Sequence, residues 1–170
     1  MSNKIKKAES LARFVHEGQK RGDGENYIKH CERVVDETRK YIYSHFESKE
    51  QSENLICAAW LHDCIEDADL KLEMNDFILK AFGYDIWDIV ATLTHDPKLE
   101  SYNQYIEGVF KHPTAWQIKW LDMIDNTSYK TTKKQIIKYK DACTHLMIHG
   151  VTVPPILIER LGLSESSIDE

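Results

Sequence analysis

Leu55-Ile56-Cys57-Ala58-Ala59-Trp60-Leu61-His62-Asp63 decides how the chain is read. The first seven residues are apolar in every direction around a helix, as a helix in the middle of a core must be. They lie inside Glu25–Phe82, a stretch without glycine or proline and rich in Ala, Leu, Glu and Lys. Such a stretch favours helices. Valine and isoleucine never fall into the strict alternation of a half-buried strand. The fold class read from this is all-α.

Working outward, a first helix is expected near Ala8–Glu17, followed by a turn at Gly22-Asp23-Gly24. A second runs from Tyr27 to about Phe46, with Tyr27, Cys31, Val34, Thr38, Tyr41 and Ile42 on one stripe. Ser52 or Glu53 opens a third that continues to about Glu66. Helices over 72–82 and 84–93 are separated by Gly83, and another covers 101–110. Thr114 to Met147 reads as two helices joined near Thr131 or Thr132, and a short helix follows Pro154-Pro155. No repeat or linker divides the chain. One compact helical domain over residues 8–163 is expected, with a loose N-terminus at 1–7 and a loose tail at 164–170.

The chain has 170 residues, 42% apolar and 29% charged, with a formal charge of −6. This is the composition of a globular domain. Net acidity provides no overall attraction for DNA, RNA or an anionic bilayer, so an anionic ligand needs local cations or a metal. No apolar run approaches the roughly 20 residues of a membrane span, and the N-terminal residues carry no apolar signal core. A cytoplasmic protein is expected. Cys31, Cys57, Cys64 and Cys143 form no CxxC pair and read as buried free thiols.

Chemistry enters where the apolar run breaks. His62-Asp63 extends it directly, Glu66-Asp67 follows one helical turn later, and then Asp69. No lysine or arginine lies between Lys49 and Lys71 to neutralise these acids. Asp69 reads as solvated. For His62 and Asp63 metal ligation explains more than a solvated face, because a partly buried carboxylate needs a partner. A second acid, Asp122, interrupts the apolar helix Trp116–Ile124 and is balanced either by Lys119 three residues earlier, by an outside arginine or by a metal. His30 sits on the apolar stripe of the second helix, as a core histidine or as a ligand. Taken together, His30, His62, Asp63 and Asp122 make a mixed nitrogen and oxygen donor set that suits one first-row divalent ion. If six-coordinate, it leaves two positions for water and a substrate oxygen. Donor type does not choose among Mn, Fe, Co, Ni and Zn.

Tyr27-x-x-His30, His62-Asp63 followed by Glu66-Asp67, and Lys119-x-x-Asp122-x-x-x-Asn126 together resemble the HD-domain metal phosphohydrolases, and within them the RelA/SpoT-type small alarmone hydrolases. The likeness runs from about Ala8 to Gly150. It implies a helical HD-domain bundle in which His30, His62, Asp63 and Asp122 are the metal ligands, with manganese the usual ion. It places Glu66 and Asp67 beside the attacking water and Asn126 in the nucleotide pocket. Cys31, Asp125 and Ala68 depart from residues common in that branch. The reaction implied is release of pyrophosphate from the 3′ position of a (p)ppGpp-like alarmone, with Lys119 and Arg21, then Lys20 and Lys130, as cations for the other phosphates. A nucleoside mono- or triphosphate phosphohydrolase, and a helical nucleotide-binding domain without turnover, are the alternatives. The partner expected is a nucleotide, with no nucleic acid and no membrane; a homo-oligomer is left open.

Overall fold

The computed structural model describes residues 2–45, 48–128 and 131–163, with the backbone alone at Ser44 and His45. The described residues form helices α1 (Asn3–Val15), α2 (Ile28–His45), α3 (Lys49–Leu61), α4 (Lys71–Phe82), α5 (Tyr84–Leu93), α6 (Tyr102–Lys111), α7 (Ala115–Asn126), α8 (Lys133–Ile148) and α9 (Pro155–Leu161). No strand accompanies them among these residues; a single antiparallel bridge, Lys20 to Asn26, closes the turn before α2.

The all-apolar helix is central. Leu55 and Cys57 to Leu61 of α3 are buried, and α3 packs against α1, α2, α5 and α7. Its start is one turn earlier than the apolar pattern suggests, because Ser48 and Gln51 form a reciprocal capping box. The same device opens α6 at Ser101 and Gln104, and α8 at Thr132 and Gln135, where the long stretch after Pro113 divides as expected. Gly83 joins α4 to α5 at φ +89°, a conformation that penalises any residue with a Cβ. α6 packs on α7 and α8, and α9 on α7 and α8. All four cysteines are buried and unpaired. No described helix is long and apolar enough to cross a membrane.

Two expectations are corrected. The N-terminal segment is not loose, since α1 begins at Asn3 under a Ser2 cap and Ile5 is buried. The third helix does not reach Glu66; it ends at Leu61, and residues 62–66 continue as turns, with the Cys64 N–H on Leu61 O at 2.9 Å and the Asp67 N–H on Asp63 O at 3.0 Å. The expected tail at 164–170, Phe46 and Lys130 lie outside the described residues.

Candidate metal centre

Three elements deliver the site. α2 supplies His30, the turn that leaves α3 supplies His62 and Asp63, and α7 supplies Asp122. His30, His62 and Asp122 are buried at 0%, 2% and 5% exposure, so they are ionisable groups inside the core and not on a solvated face.

Each imidazole is fixed by its far nitrogen. His30 Nδ1 donates to Asp125 Oδ2 at 2.7 Å, and His62 Nδ1 donates to the carbonyl of Ala59 at 2.9 Å. Both tautomers therefore aim Nε2 inward, where the two Nε2 atoms lie 3.2 Å apart. Two bare lone pairs at that distance repel, and only a proton or a metal between them relieves it. Carboxylate oxygens complete the group. Asp63 Oδ2 lies 3.0 Å from His62 Nε2 and 3.7 Å from His30 Nε2. Asp122 Oδ1 lies 3.3 Å from His30 Nε2 and 3.9 Å from His62 Nε2.

Ligands at about 2.0–2.2 Å from a common ion stand roughly 3–4 Å from one another, so His30, His62 and Asp122, with donor atoms 3.2, 3.3 and 3.9 Å apart, fit a first-row divalent cation. His30, His62 and Asp122 each offer an atom within 4.8 Å of the others. Asp63 reaches both imidazoles from the side.

The electrostatics agree. Burial alone would push both imidazoles down, yet the acids around them hold His30 well above its ordinary value and His62 above it. Burial likewise opposes ionisation of Asp63 and Asp122, and the neighbouring cations reverse this: His62 and His30 for Asp63, Lys119 and His30 for Asp122, so both carboxyls sit below their usual range. The cluster attracts positive charge to its centre.

The surroundings hold these groups in place. Tyr27 OH donates to Asp63 Oδ2 at 2.6 Å. Lys119 Nζ pairs with Asp122 Oδ2 at 2.9 Å, and Asn126 Nδ2 donates to Asp122 Oδ1 at 2.5 Å. Thus Lys119, read from the sequence as a cation for phosphate, is already engaged by a ligand candidate. Asp125, behind His30, is gripped by Arg33 Nε at 2.6 Å and Arg21 Nη1 at 3.1 Å. Arg21 also donates to Asn126 Oδ1 at 2.9 Å.

Asp63 and Asp122 of the centre line a cavity of about 380 Å³, together with Asn126, Glu66, His95, Tyr102, Tyr105 and Tyr139 and with Lys20, Arg21, Lys119 and Lys138. Glu66 is half-buried, its Oε2 accepting the His95 N–H at 3.2 Å; burial and then the Asp63 charge raise its pKa. Asp67 is placed differently from the sequence expectation. It turns to Gln19 Nε2 at 2.9 Å and toward His16, and does not line the cavity. The i,i+4 stacking of Asp63 and Asp67 needed a continuing helix, which the chain does not make.

Residues that sequence reasoning missed are Tyr27, Arg33, Tyr102, Tyr105, Tyr139 and Lys138. The Tyr102 hydroxyl is buried with no partner among the described residues, an orphan polar group aimed at the cavity. Lys138, also in the cavity lining, has its Nζ over the rings of Tyr102 and Tyr139, 4.5 Å and 4.8 Å away. Only Tyr27 carried a sequence signal, as the first residue of Tyr-x-x-His.

Comparison with known proteins bears on this arrangement. A solved structure of a metazoan ortholog of SpoT, described as hydrolysing ppGpp and playing a role in starvation responses, superimposes with a TM-score of 0.70 over 95% of this chain and 93% of that one, at 23% identity. That likeness establishes the fold. No curated protein sequence matches. The HD-domain family profile matches residues 8–115, which contain His30, His62 and Asp63, and Asp122 follows on the next helix. The chain belongs to the HD-domain family.

Proposed function

We propose that the protein is a metal-dependent phosphohydrolase that removes pyrophosphate from the 3′ position of a (p)ppGpp-like guanosine alarmone. The observation that carries this reading is the convergence of two buried Nε2 atoms with Asp63 and Asp122, the two carboxylates lining a cavity that also holds lysines and tyrosines. The likeness to a ppGpp hydrolase fold supports the choice of nucleotide. Manganese is the ion proposed, on the family resemblance.

His30, His62, Asp63 and Asp122 would hold a divalent ion, which would supply Lewis-acid polarisation of a phosphate oxygen and a water of lowered pKa. The chain's own residues do the rest. Glu66 lines the cavity close enough to Asp63 for that charge to raise its pKa, which suits it to accept the proton of the attacking water. General-base help of this kind is worth about a hundredfold to ten-thousandfold. The attack joins the water oxygen to the 3′ phosphorus and breaks that phosphorus's bond to the ribose oxygen, which takes a proton from solvent and leaves as the 3′-hydroxyl as pyrophosphate departs. Lys20, whose Nζ donates to the neutral Asn26 side chain, and Lys138 keep charges in the cavity lining for the remaining phosphates, since Lys119 and Arg21 are ion-paired with Asp122 and Asp125. Tyr102, Tyr105 and Tyr139 provide ring surface for a nucleoside, and the unpartnered Tyr102 hydroxyl provides a polar group. Asn126 lines the same cavity while it donates to Asp122 and accepts from Arg21.

The test is incubation of purified protein and manganese with ppGpp, reading pyrophosphate and GDP, beside a panel of nucleoside mono- and triphosphates. Pyrophosphate from ppGpp that disappears in His62→Ala is expected. Phosphate from a deoxynucleoside monophosphate with no pyrophosphate from ppGpp would overturn the substrate and keep the reaction class.

A further inference from the structure

We propose that Glu107, His145 and His149 form a second, surface metal site, for a zinc-like transition ion, that ties α6 to α8. The three side chains offer ligand atoms that lie within 4.8 Å of one another. His145 and His149 stand four residues apart at the end of α8, the spacing that puts two side chains on one face of a helix. Glu107 comes from the helix packed against it.

The donors are individually prepared. His149 Nδ1 donates to the carbonyl of His145 at 2.8 Å, which fixes the tautomer and leaves Nε2 with the free lone pair. No hydrogen bond to that Nε2 occurs among the described residues. His145 Nε2 lies 2.7 Å from Glu107 Oε1, held by one proton where an ion would sit. Lys111 takes the other oxygen, Oε2, at 3.3 Å and leaves Oε1 to face the histidines. With ligand bonds of about 2.0–2.2 Å, a tetrahedral ion needs the nitrogen and oxygen to part to roughly 3.3 Å. Half-exposed side chains accommodate this easily: Glu107 is 34% exposed and His145 23%. Three protein donors at the surface leave a fourth position for water. Two imidazoles and one carboxylate favour zinc, nickel or copper over magnesium or calcium.

The consequence lies farther along the same two helices. α6 contributes Tyr102 and Tyr105 to the cavity, and α8 contributes Lys138 and Tyr139. An ion joining Glu107 to His145 and His149 would fasten that wall without touching the interior centre.

Equilibrium dialysis of the full chain against zinc chloride, read by elemental analysis, tests this with His149→Ala and Glu107→Gln. Wild type should hold one more zinc ion per chain than either variant, and zinc should raise the Tm of wild type more than that of His149→Ala. Because both positions are solvent-facing, the variants should keep the wild-type circular dichroism. Equal zinc content in wild type and both variants would overturn the proposal. The His62→Ala protein separates the two centres: its zinc content should fall further when His149→Ala is added. That difference stands even if the interior site holds no metal.

Discussion

Replacing Asp125 with asparagine probes the support behind the metal centre without touching a ligand. Asp125 is 8% exposed and accepts from His30 Nδ1, Arg33 and Arg21. Burial opposes its ionisation, but His30 and Arg33 outweigh burial and hold its pKa at about 2, against 3.8 for a free aspartate. A drop of that size corresponds to about 2 kcal/mol of folding stability from the charge. A depressed carboxyl contributes fully above its unfolded pKa and loses that contribution as pH falls through its folded value. The wild type should therefore lose about 2 kcal/mol between roughly pH 4 and pH 2 from this group, and Asp125→Asn should lack that component. At neutral pH, urea unfolding should show Asp125→Asn weaker by about 2 kcal/mol. Manganese titration should show affinity about 10–100-fold lower, because the carboxylate that orients His30 and makes it a better donor is gone. Unchanged metal affinity with unchanged stability would refute the role assigned to this residue.

Other outcomes are equally specific. Glu66→Gln should lower kcat about a hundredfold or more with little change in KM; because burial raises the Glu66 pKa, the wild-type acid limb should lie above the ordinary glutamate range and vanish in the variant. Lys138→Ala should raise the KM for a polyphosphorylated nucleotide and leave metal content unchanged, as measured by steady-state kinetics and elemental analysis. Chelation followed by dialysis should abolish hydrolysis, and added manganese should restore it. Leu61→Ala, in a fully buried position beside the ligands, should cost about 2–5 kcal/mol in chemical denaturation.

The helical architecture was legible because breakers are few and Leu55–Leu61 admits no solvent-facing side. The centre was legible for a related reason: His62, Asp63 and Asp122 interrupt apolar helical surroundings, where an ionisable group needs a specific partner. Asp67 was misplaced because periodicity extends a helix until a breaker appears, while the chain turns at His62 without glycine or proline. Asp125 stood out only as a departure from relatives. Its grip on His30 depends on how α2 meets α7, which local pattern does not encode. In sequence Lys138 looks like an ordinary surface-helix residue and Tyr102 like one member of a helix stripe with Tyr105, Ile106 and Val109, and only the packing of α6 on α8 brings them to the same cavity.

Anomalous diffraction at the manganese edge, from crystals grown with the ion, tests the central geometry most directly. One strong peak is predicted about 2.0–2.2 Å from His30 Nε2, His62 Nε2, Asp63 Oδ2 and Asp122 Oδ1. A peak bound by fewer than three of these atoms, or density only elsewhere on the surface, would contradict the assignment of this core cluster as the metal centre.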